Sequence, residues 1–245
     1  MEGIESILGN SAWAALSSFV SPQQQGVEPP PVQSAPIDAI PDVQLPAPPA
    51  ELGSRPFRET VEARRSRRRF SSGALETVQL SFLLLETQGV QKLLRGGLAT
   101  LRAVPSGGAR HPFETILALR AVEGIPPALY RYMPVQHGLM RIGELPERRA
   151  VAEACMGQGF VGDAPAVFFW TAVPARTEWR YGPASAKLIA IDAGHLCQNL
   201  YLACEALGLG TCAIGAYDQE RSDRLTLVDG REEFVIYIAP VGRPE

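Results

Sequence analysis

Lysine is almost absent from this 245-residue chain: Lys92 and Lys187 are the only two, so arginine carries nearly all of the positive charge. The four cysteines have no CxxC spacing and no histidine partners, which argues against a zinc site and gives no disulfide framework. No apolar run reaches the roughly 18 residues that a membrane span requires. The first 20 residues have no basic group ahead of their short apolar run, unlike a secretory signal. These absences predict a cytoplasmic protein with reduced thiols and no membrane anchor.

The overall composition predicts a globular protein with a substantial core. Hydrophobic residues make up 46% of the chain, and its formal net charge is −3. A mildly acidic protein is a poor general binder of nucleic acid, because such binding depends on neutralising many phosphates. With this length the chain can form one large domain or two small ones.

A proline-rich segment precedes the region that can fold into a core. Residues 21–56 are rich in Pro, Gln, Ser and Ala, with proline clusters at 29–31 and 46–49. Such a segment favours extended conformations, so it is either a linker or an arm that lies across another surface. Residues 4–20 have helical apolar spacing and are predicted to pack on the body or on a partner subunit. The predicted division is an N-terminal arm over residues 1–55 and a globular domain over residues 56–245.

Helical and strand patterns alternate along the globular domain. Apolar spacing predicts helices over residues 57–65, 75–87, 145–155 and 184–207, the last ending at Gly208. Apolar runs predict strands over residues 115–122, 128–133, 166–173 and 234–241. Glycines at 96–97 and 107–108 predict a long loop. Without a clean βαβ repeat, this order predicts an α+β fold with a mixed or antiparallel sheet flanked by helices.

The densest charge cluster is the arginine run at residues 64–69, where five arginines and Ser66 are followed by Phe70. Planar guanidinium groups bind phosphate oxygens through paired hydrogen bonds, and a serine hydroxyl adds another donor. The run therefore indicates a phosphorylated ligand. A solvated basic face or a nucleic-acid patch explains the run alone equally well.

Two further segments carry the residue types of a ligand site. In the loop at 105–112, Gly107 and Gly108 permit close backbone approach while Ser106 and Arg110 supply donors, although an ordinary loop fits as well.

In the long helix, Gly194 costs roughly 1 kcal/mol relative to alanine, which predicts tight packing against another helix or a ligand. The neighbouring polar residues are predicted to form hydrogen bonds in the core or at a subunit interface: His195, Gln198 and Asn199. The glycines at 208, 210 and 215 follow a helix rather than a strand, so they do not form a dinucleotide-binding fingerprint.

Taken in order, four motifs resemble the FMN-dependent nitroreductase superfamily, and specifically its SagB-type branch of azoline dehydrogenase-like proteins. They are RRSRRRF, PSGGARHP, the block from IDAGHLCQN to AIGAYD, and the terminal IYIAPVGRP. The resemblance covers roughly residues 57–243. The resemblance implies a nitroreductase-like α+β fold, an intertwined homodimer, and two FMN sites at its interface. It also implies a small-molecule or modified-peptide substrate, with NAD(P)H as a candidate electron donor.

The resemblance assigns roles to residues of this chain. It implies that the FMN phosphate is held by Arg64 and Ser66 with help from Arg65, and that Arg243 reaches the same phosphate. Arg68 would lie near the pyrimidine edge of the flavin, where a cation stabilises the reduced form. The loop residues Pro105, Ser106 and Gly107 would pack on the flavin from the other subunit. The opposite face of the ring would contact Ala213, Ile214, Gly215 and Ala216.

One position departs from the azoline-oxidising pattern. Those proteins have a Lys-Tyr pair shortly before the long helix, and this pair handles the substrate proton. In this chain the matching residues are Arg180 and Tyr181. Arginine stays protonated in proteins and cannot act as a general base. Tyr181 can still donate or relay a proton, so Tyr181 and Arg180 are the candidate catalytic residues.

Three hypotheses follow. The first is an FMN-dependent oxidoreductase that transfers hydride through flavin N5, either reducing nitro or quinone-like acceptors with NAD(P)H or dehydrogenating a natural-product intermediate. The second is a flavin-binding, non-catalytic subunit of a biosynthetic complex, or a peptide azoline oxidase that relies on Tyr181. The third, nucleic-acid binding by the arginine run, is disfavoured by the net negative charge.

Overall fold

A seven-stranded sheet forms the centre of the computed structural model, which describes residues 11–14, 16 and 18–245. In spatial order the strands are β1 (Val43–Gln44), β6 (Gly138–Gly143), β5 (Ala128–Met133), β4 (Phe113–Leu119), β7 (Ala166–Ala172), β9 (Phe234–Gly242) and β8 (Gly210–Thr211). All six neighbouring pairs are antiparallel. The predicted α+β architecture with a mainly antiparallel sheet is therefore confirmed.

Helices cover both faces of the sheet. One face packs against α3 (Thr77–Gln88) and the long α7 (Ser185–Ala206), and the other packs against α4 (Arg148–Ala154), α5 (Gly159–Asp163) and α8 (Gln219–Thr226). Side chains alternate between faces along a strand, so Leu117 of β4 lies in the first core and Ile116 in the second. Further α-helices in the described residues are α1 (Ser11–Ala14), α2 (Phe57–Ala63) and α6 (Ala175–Tyr181). Within the described ranges, no helix combines the length and apolarity needed to cross a membrane.

Most of the predicted elements are present with shifted ends. The predicted helices correspond to α2, α3, α4 and α7, and the predicted strands to β4, β5, β7 and β9. The long helix ends as expected, because Gly208 follows it with the positive φ of 67° that favours glycine. Short elements with weak patterns, such as β6, α6 and α8, were not predicted.

The prediction of a long loop that includes Gly96 and Gly97 is wrong for the first half of that segment. There, β2 (Val90–Leu94) and β3 (Ala99–Arg102) form an antiparallel hairpin that is separate from the main sheet. Gly96 and Gly97 turn the chain between them with φ of 68° and 99°. Two apolar runs around a Gly-Gly pair are a hairpin signal, which the loop interpretation missed.

The proline-rich segment lies across the body of its own chain, as an arm rather than a linker. Body side chains donate to arm carbonyls: Arg102 to Val32 O at 2.6 Å and Arg176 Nε to Pro31 O at 2.8 Å. Further along, β1 adds an edge strand to the main sheet. Proline lacks an N–H, so an extended proline-rich segment is held mainly by donors to its carbonyls. Most of the helical appendage predicted over residues 4–20 lies outside the described residues, apart from α1.

A buried carboxylate joins the arm to the sheet and to α6. Glu114 of β4 forms ion pairs with Arg176 of α6 and, at 3.3 Å, with Arg131 of β5. Ser34 N of the arm donates to the same carboxylate at 2.9 Å. Burial raises the pKa of Glu114, but the charges of Arg176 and Arg131 outweigh burial, so the net pKa lies below 4.5. A carboxylate with a depressed pKa stabilises the fold above about pH 4.5, and this contribution is lost as the pH falls through its folded-state pKa.

Removing the charge of Glu114 should destabilise the whole protein. In Glu114→Gln, Arg176 remains buried without a carboxylate partner, while Arg131 keeps only its pair with Glu233. Leaving a buried charge without its partner costs about 3–5 kcal/mol. The measurement is the free energy of unfolding from urea titration at pH 7.

Glu153→Gln is the matched control, because Glu153 pairs with Arg149 on the exposed surface of α4. This control should unfold at the same urea concentration as the wild type. Equal stability of Glu114→Gln and wild type would show that the buried network does not hold the fold.

Candidate functional site

The arginine run follows α2 and lies along the sheet edge at β8. Arg67 N donates to Thr211 O at 2.9 Å, and Ser66 pairs with Thr211 in a parallel bridge. Gly210 has no room for a side chain, since an added Cβ would lie 2.7 Å from Cβ of Arg67. The edge strand thus holds the run beside the segment that follows β8.

Tyr201 of α7 connects the run to that segment, and sequence reasoning missed it. Its hydroxyl lies 3.0 Å from Ser66 Oγ and accepts a hydrogen bond from Ala213 N at 2.8 Å. Its ring lies under the Arg64 guanidinium, whose Cζ is 5.3 Å from the ring centroid. Because the Tyr201 oxygen accepts from Ala213, its own proton can be donated to Ser66. The Ser66 proton then remains available to an external acceptor.

The side chains of the run differ in their exposure to solvent and in whether they already have hydrogen-bond partners within the chain. Arg65, Ser66 and Arg68 are exposed, and Arg64 is half-buried. The Arg65 guanidinium donates to the carbonyls of Glu62 and Arg64 at 2.9 and 2.8 Å, so it caps the end of α2. Nε of Arg67 is buried without a hydrogen-bond partner.

Arg243 lies near the run but is paired within the chain. Its guanidinium donates to Glu76 Oε1 at 2.9 Å, and its carbonyl accepts from Ser71 N at 2.9 Å. The C-terminal segment and the run therefore lie side by side, which is also seen in the bridge between Phe70 and Pro244.

The segment at 213–216 forms an open strip beside the run. Ile214 is buried, and its N–H donates to Ile238 O at 2.8 Å, which ties the strip to β9. Gly215 and Ala216 are exposed, and nothing lies within 4 Å of the point where a Cβ on Gly215 would be. The strip offers a flat backbone surface next to a cluster of cationic donors.

The loop at 105–107 is held by Asp192 of α7, a second residue that received no predicted role. Ser106 Oγ donates to Asp192 Oδ2 at 2.6 Å, and Gly107 N donates to the same oxygen at 3.1 Å. Burial raises the pKa of Asp192, and the hydrogen bonds from Ser106 and Gly107 oppose that shift. A signal was present, since Asp192 is the one acidic residue between Ser185 and Cys204.

The loop and the arginine run lie on different sides of the long helix. Asp192 and Tyr201 are nine positions apart, which corresponds to about 13 Å along the axis and about half a turn around it. The hydrogen bonds of the loop go to Asp192, and those of the run go to Tyr201 and Thr211. Within one chain, the loop and the run are therefore held by different parts of α7.

The predicted catalytic pair lies beside the loop at the end of α6. An added Cβ on Gly108 would lie 2.6 Å from the Tyr181 hydroxyl and 3.2 Å from Cδ of Arg180. Trp13 contacts the Tyr181 ring edge-on, with 6.2 Å between centroids. The structure thus brings Arg180 and Tyr181 together with the predicted flavin-contacting loop.

The core alternative for the polar residues of α7 does not hold for His195 and Gln198, which are exposed within one chain, whereas Asn199 donates to Glu86 O at 2.8 Å. The alternative role of these residues at a subunit interface stays a prediction. Gly194 does not pack tightly within the chain, because no atom lies within 4 Å of its would-be Cβ. The physical reason is that α7 buries only one side against the sheet. Its other side forms an exposed stripe of Ala190, Ile191, Gly194, His195 and Gln198.

The four cysteines pack as small residues in the core. All four are free and buried. Burial raises the pKa of the Cys155 and Cys197 thiols to about 12, so neither forms a thiolate at neutral pH. No group of three or more potential metal ligands occurs in the part of the chain that the structure describes.

Comparison with known proteins gives consistent relatives. MJ1384, a protein of Methanocaldococcus jannaschii named as a nitroreductase, is 32% identical over 203 residues, which cover 82% of this chain and 96% of the relative. The trifolitoxin-processing protein TfxB of Rhizobium leguminosarum bv. trifolii is 32% identical over 142 residues, covering 54% of this chain but only 37% of TfxB.

Two crystal structures named as nitroreductases have a similar fold. The one from Ralstonia eutropha has a TM-score of 0.69 and 28% identity, and covers 89% of this chain and 94% of its own. The one from Anabaena variabilis has the same score and identity and covers 86% of this chain, which matches 45% of the larger Anabaena chain. The family model described as the nitroreductase family matches residues 61–243. The chain therefore belongs to the nitroreductase family of flavin-dependent oxidoreductases.

Proposed function

We propose that this protein is an FMN-dependent oxidoreductase whose phosphate-binding half-site is the arginine run. The observation that carries the proposal is the clustering of Arg64, Ser66 and the strip at 213–216 around Tyr201. When bound, FMN supplies hydride transfer. The chain supplies the donors that hold the cofactor and the proton donor beside it.

The donor set suits a flavin mononucleotide. Arg64 and Ser66 offer a guanidinium and a hydroxyl proton to a phosphate, with Arg65 and Arg68 as exposed cations nearby. The unpartnered Nε of Arg67 adds an unused buried donor at the same edge. The exposed backbone at Gly215 and Ala216 suits the flat face of an aromatic ring, and the buried Ile214 anchors this strip to β9. Arg243 would reach the phosphate only by leaving Glu76, so its role is the weakest of the set.

We further propose that the working protein is a homodimer in which each site uses two chains. The loop at 105–107 and the arginine run belong to separate half-sites, so a second copy has to supply the loop that covers the flavin. The exposed stripe of α7 supports this arrangement: Ile191 is 45% exposed, and Gly194 leaves open space beside it. An exposed isoleucine beside a glycine without neighbouring atoms offers apolar surface that a second helix can approach closely.

Tyr181 is the proposed proton donor. It lies beside Gly108 of the loop that would cover the flavin, so it belongs to the substrate side of the site. Arg180 keeps its charge there and cannot take up a proton. Reduction of a small acceptor needs a donor of this kind, with NAD(P)H as the proposed source of electrons.

A second candidate is dehydrogenation of a modified peptide, as in the SagB-type branch. The likeness to TfxB, whose name assigns it to trifolitoxin processing, favours this candidate. The Arg180 substitution weakens it, since the base of the Lys-Tyr pair is missing. A non-catalytic flavin-binding subunit would bind FMN without being reduced by any donor.

Removal of the Arg64 charge should weaken FMN binding. The purified wild type should bind FMN and become yellow, whereas Arg64→Gln should raise the Kd at least about tenfold, because a charge-assisted hydrogen bond contributes about 1.5–3 kcal/mol. The measurement is the quenching of FMN fluorescence on titration with apoprotein.

Arg58→Gln is the matched control, since Arg58 lies nearly two turns earlier on the same segment and pairs with exposed Glu62. It should bind FMN like the wild type. A wild type that takes up no FMN would refute the proposal. Equal Kd values for Arg64→Gln and wild type would assign the phosphate to other residues.

The direction of electron flow can be read from the loaded protein. We expect NAD(P)H to bleach the flavin absorbance in the absence of oxygen, because the proposed reductase takes its electrons from that donor. Dithionite provides the control for full reduction. Reduction by dithionite but not by NAD(P)H would favour dehydrogenation or a non-catalytic role.

A charge on the α7 stripe should separate the dimer and weaken FMN binding together. Ile191→Asp places a carboxylate where a second apolar helix is proposed to pack, and its burial there is unfavourable. Light scattering after gel filtration measures the mass, and fluorescence titration measures FMN binding.

Ile40→Asp is the control, because Ile40 is 90% exposed on the arm and lies outside the stripe. It should remain dimeric. A monomeric wild type with tightly bound FMN would contradict the two-chain site.

A further inference from the structure

The side chains of two arginines and one tyrosine converge on Gly108. Nε of Arg110 donates to Gly108 O at 3.1 Å, while Cδ of Arg180 and the Tyr181 hydroxyl lie 3.2 and 2.6 Å from the point where a Gly108 Cβ would be. Gly108 has a φ of 59°, and Ala109 beside it has the unusual value of 53° for a residue with a side chain. The loop is thus bent so that two guanidinium groups and a phenol meet at its tip.

Each guanidinium is held on an aromatic ring rather than by a carboxylate. Cζ of Arg110 lies 4.9 Å from the Trp179 ring centroid, and Cζ of Arg180 lies 5.5 Å from that of Tyr181. Trp179 is in turn fixed by the arm, since its Nε1 donates to Val27 O at 2.8 Å. Cation–π contacts orient a guanidinium while leaving its N–H donors free to bind a ligand.

The positive charge of this cluster is not neutralised by the described part of the chain. No described carboxylate forms an ion pair with Arg110, with Arg180 or with the nearby Arg95. Burial lowers the pKa of Arg110, and the charges of Arg180 and Arg95 lower it further. Placing like charges together costs free energy, which an anionic ligand would recover.

We propose that Arg110 and Arg180, with the Tyr181 hydroxyl, bind an anionic group of the substrate, a carboxylate or a phosphate. The proposal rests on the proposed function, because it places this cluster on the substrate side of the flavin. It also explains the arginine at position 180. A guanidinium that cannot act as a base can bind both oxygens of a carboxylate or phosphate through paired hydrogen bonds. The site therefore selects acidic substrates, with Arg110 and Arg180 as specificity-determining residues.

Matched neutral and anionic probes test the proposal. Calorimetric titration of the FMN-loaded protein would compare 4-nitrobenzamide with 4-nitrobenzoate and with 4-nitrophenyl phosphate. At low salt the wild type should bind at least one anion about tenfold more tightly than the amide, since charge-assisted hydrogen bonds contribute about 1.5–3 kcal/mol. The anion that binds more tightly shows whether the site prefers a carboxylate or a phosphate. The difference in affinity between this anion and the amide should shrink as the salt concentration rises.

Arg110→Gln and Arg180→Gln should each remove most of this preference, because each should weaken binding of the anion much more than binding of the amide. Arg149→Gln, which changes an exposed arginine on α4, should keep the preference. Trp13 and Trp179 flank the cluster, so tryptophan fluorescence of the apoprotein gives a second reading without flavin. Equal binding of all three probes to loaded wild type, or a preference that survives both Arg→Gln changes, would overturn the proposal. Failure to load FMN would instead refute the proposed cofactor.

Discussion

The carboxylate of Glu114 connects the parts of the molecule on which the candidate site depends. It pairs with Arg176 at the start of α6 and Arg131 in β5, and it accepts from Ser34 in the arm. A buried charge is tolerated only with close partners, so these four elements have to assemble together. The far end of α6 carries Arg180 and Tyr181. The ion pair in the core thus helps to set where the proposed substrate-binding side chains lie.

The long helix α7 organises the chemistry in a different way. Asp192 holds the loop at 105–107 on one side, and Tyr201 holds the arginine run and the strip at Ala213 on the other. Because the helix separates these positions by about half a turn, the loop and the run lie on different sides of one chain, which is the basis of the proposed two-chain site. In the proposed homodimer, the exposed stripe with Ile191 and Gly194 is the surface on which the second copy would pack.

Much of the fold could be predicted because strong local patterns were present. The long apolar helix, the buried runs of β7 and β9, and the Gly208 cap were all recognisable from spacing alone. The hairpin β2–β3 was missed because its glycine pair was interpreted as a loop. Asp192 and Tyr201 were missed for another reason: their partners, Ser106 and Ser66, lie 86 and 135 positions away in the chain. Local spacing carries no information about such contacts.

The amino-acid sequence by itself determined the family resemblance, the α+β class and the types of donor available to a phosphate. Those properties depend on residue identity and on short-range order. The tertiary structure decided which donors are free: Arg243 is paired with Glu76, whereas Arg110 and Arg180 have no described carboxylate partner. It also decided that the proline-rich segment lies on the body and that Gly194 faces outward. The reason is that pairing and burial depend on which distant segments pack together.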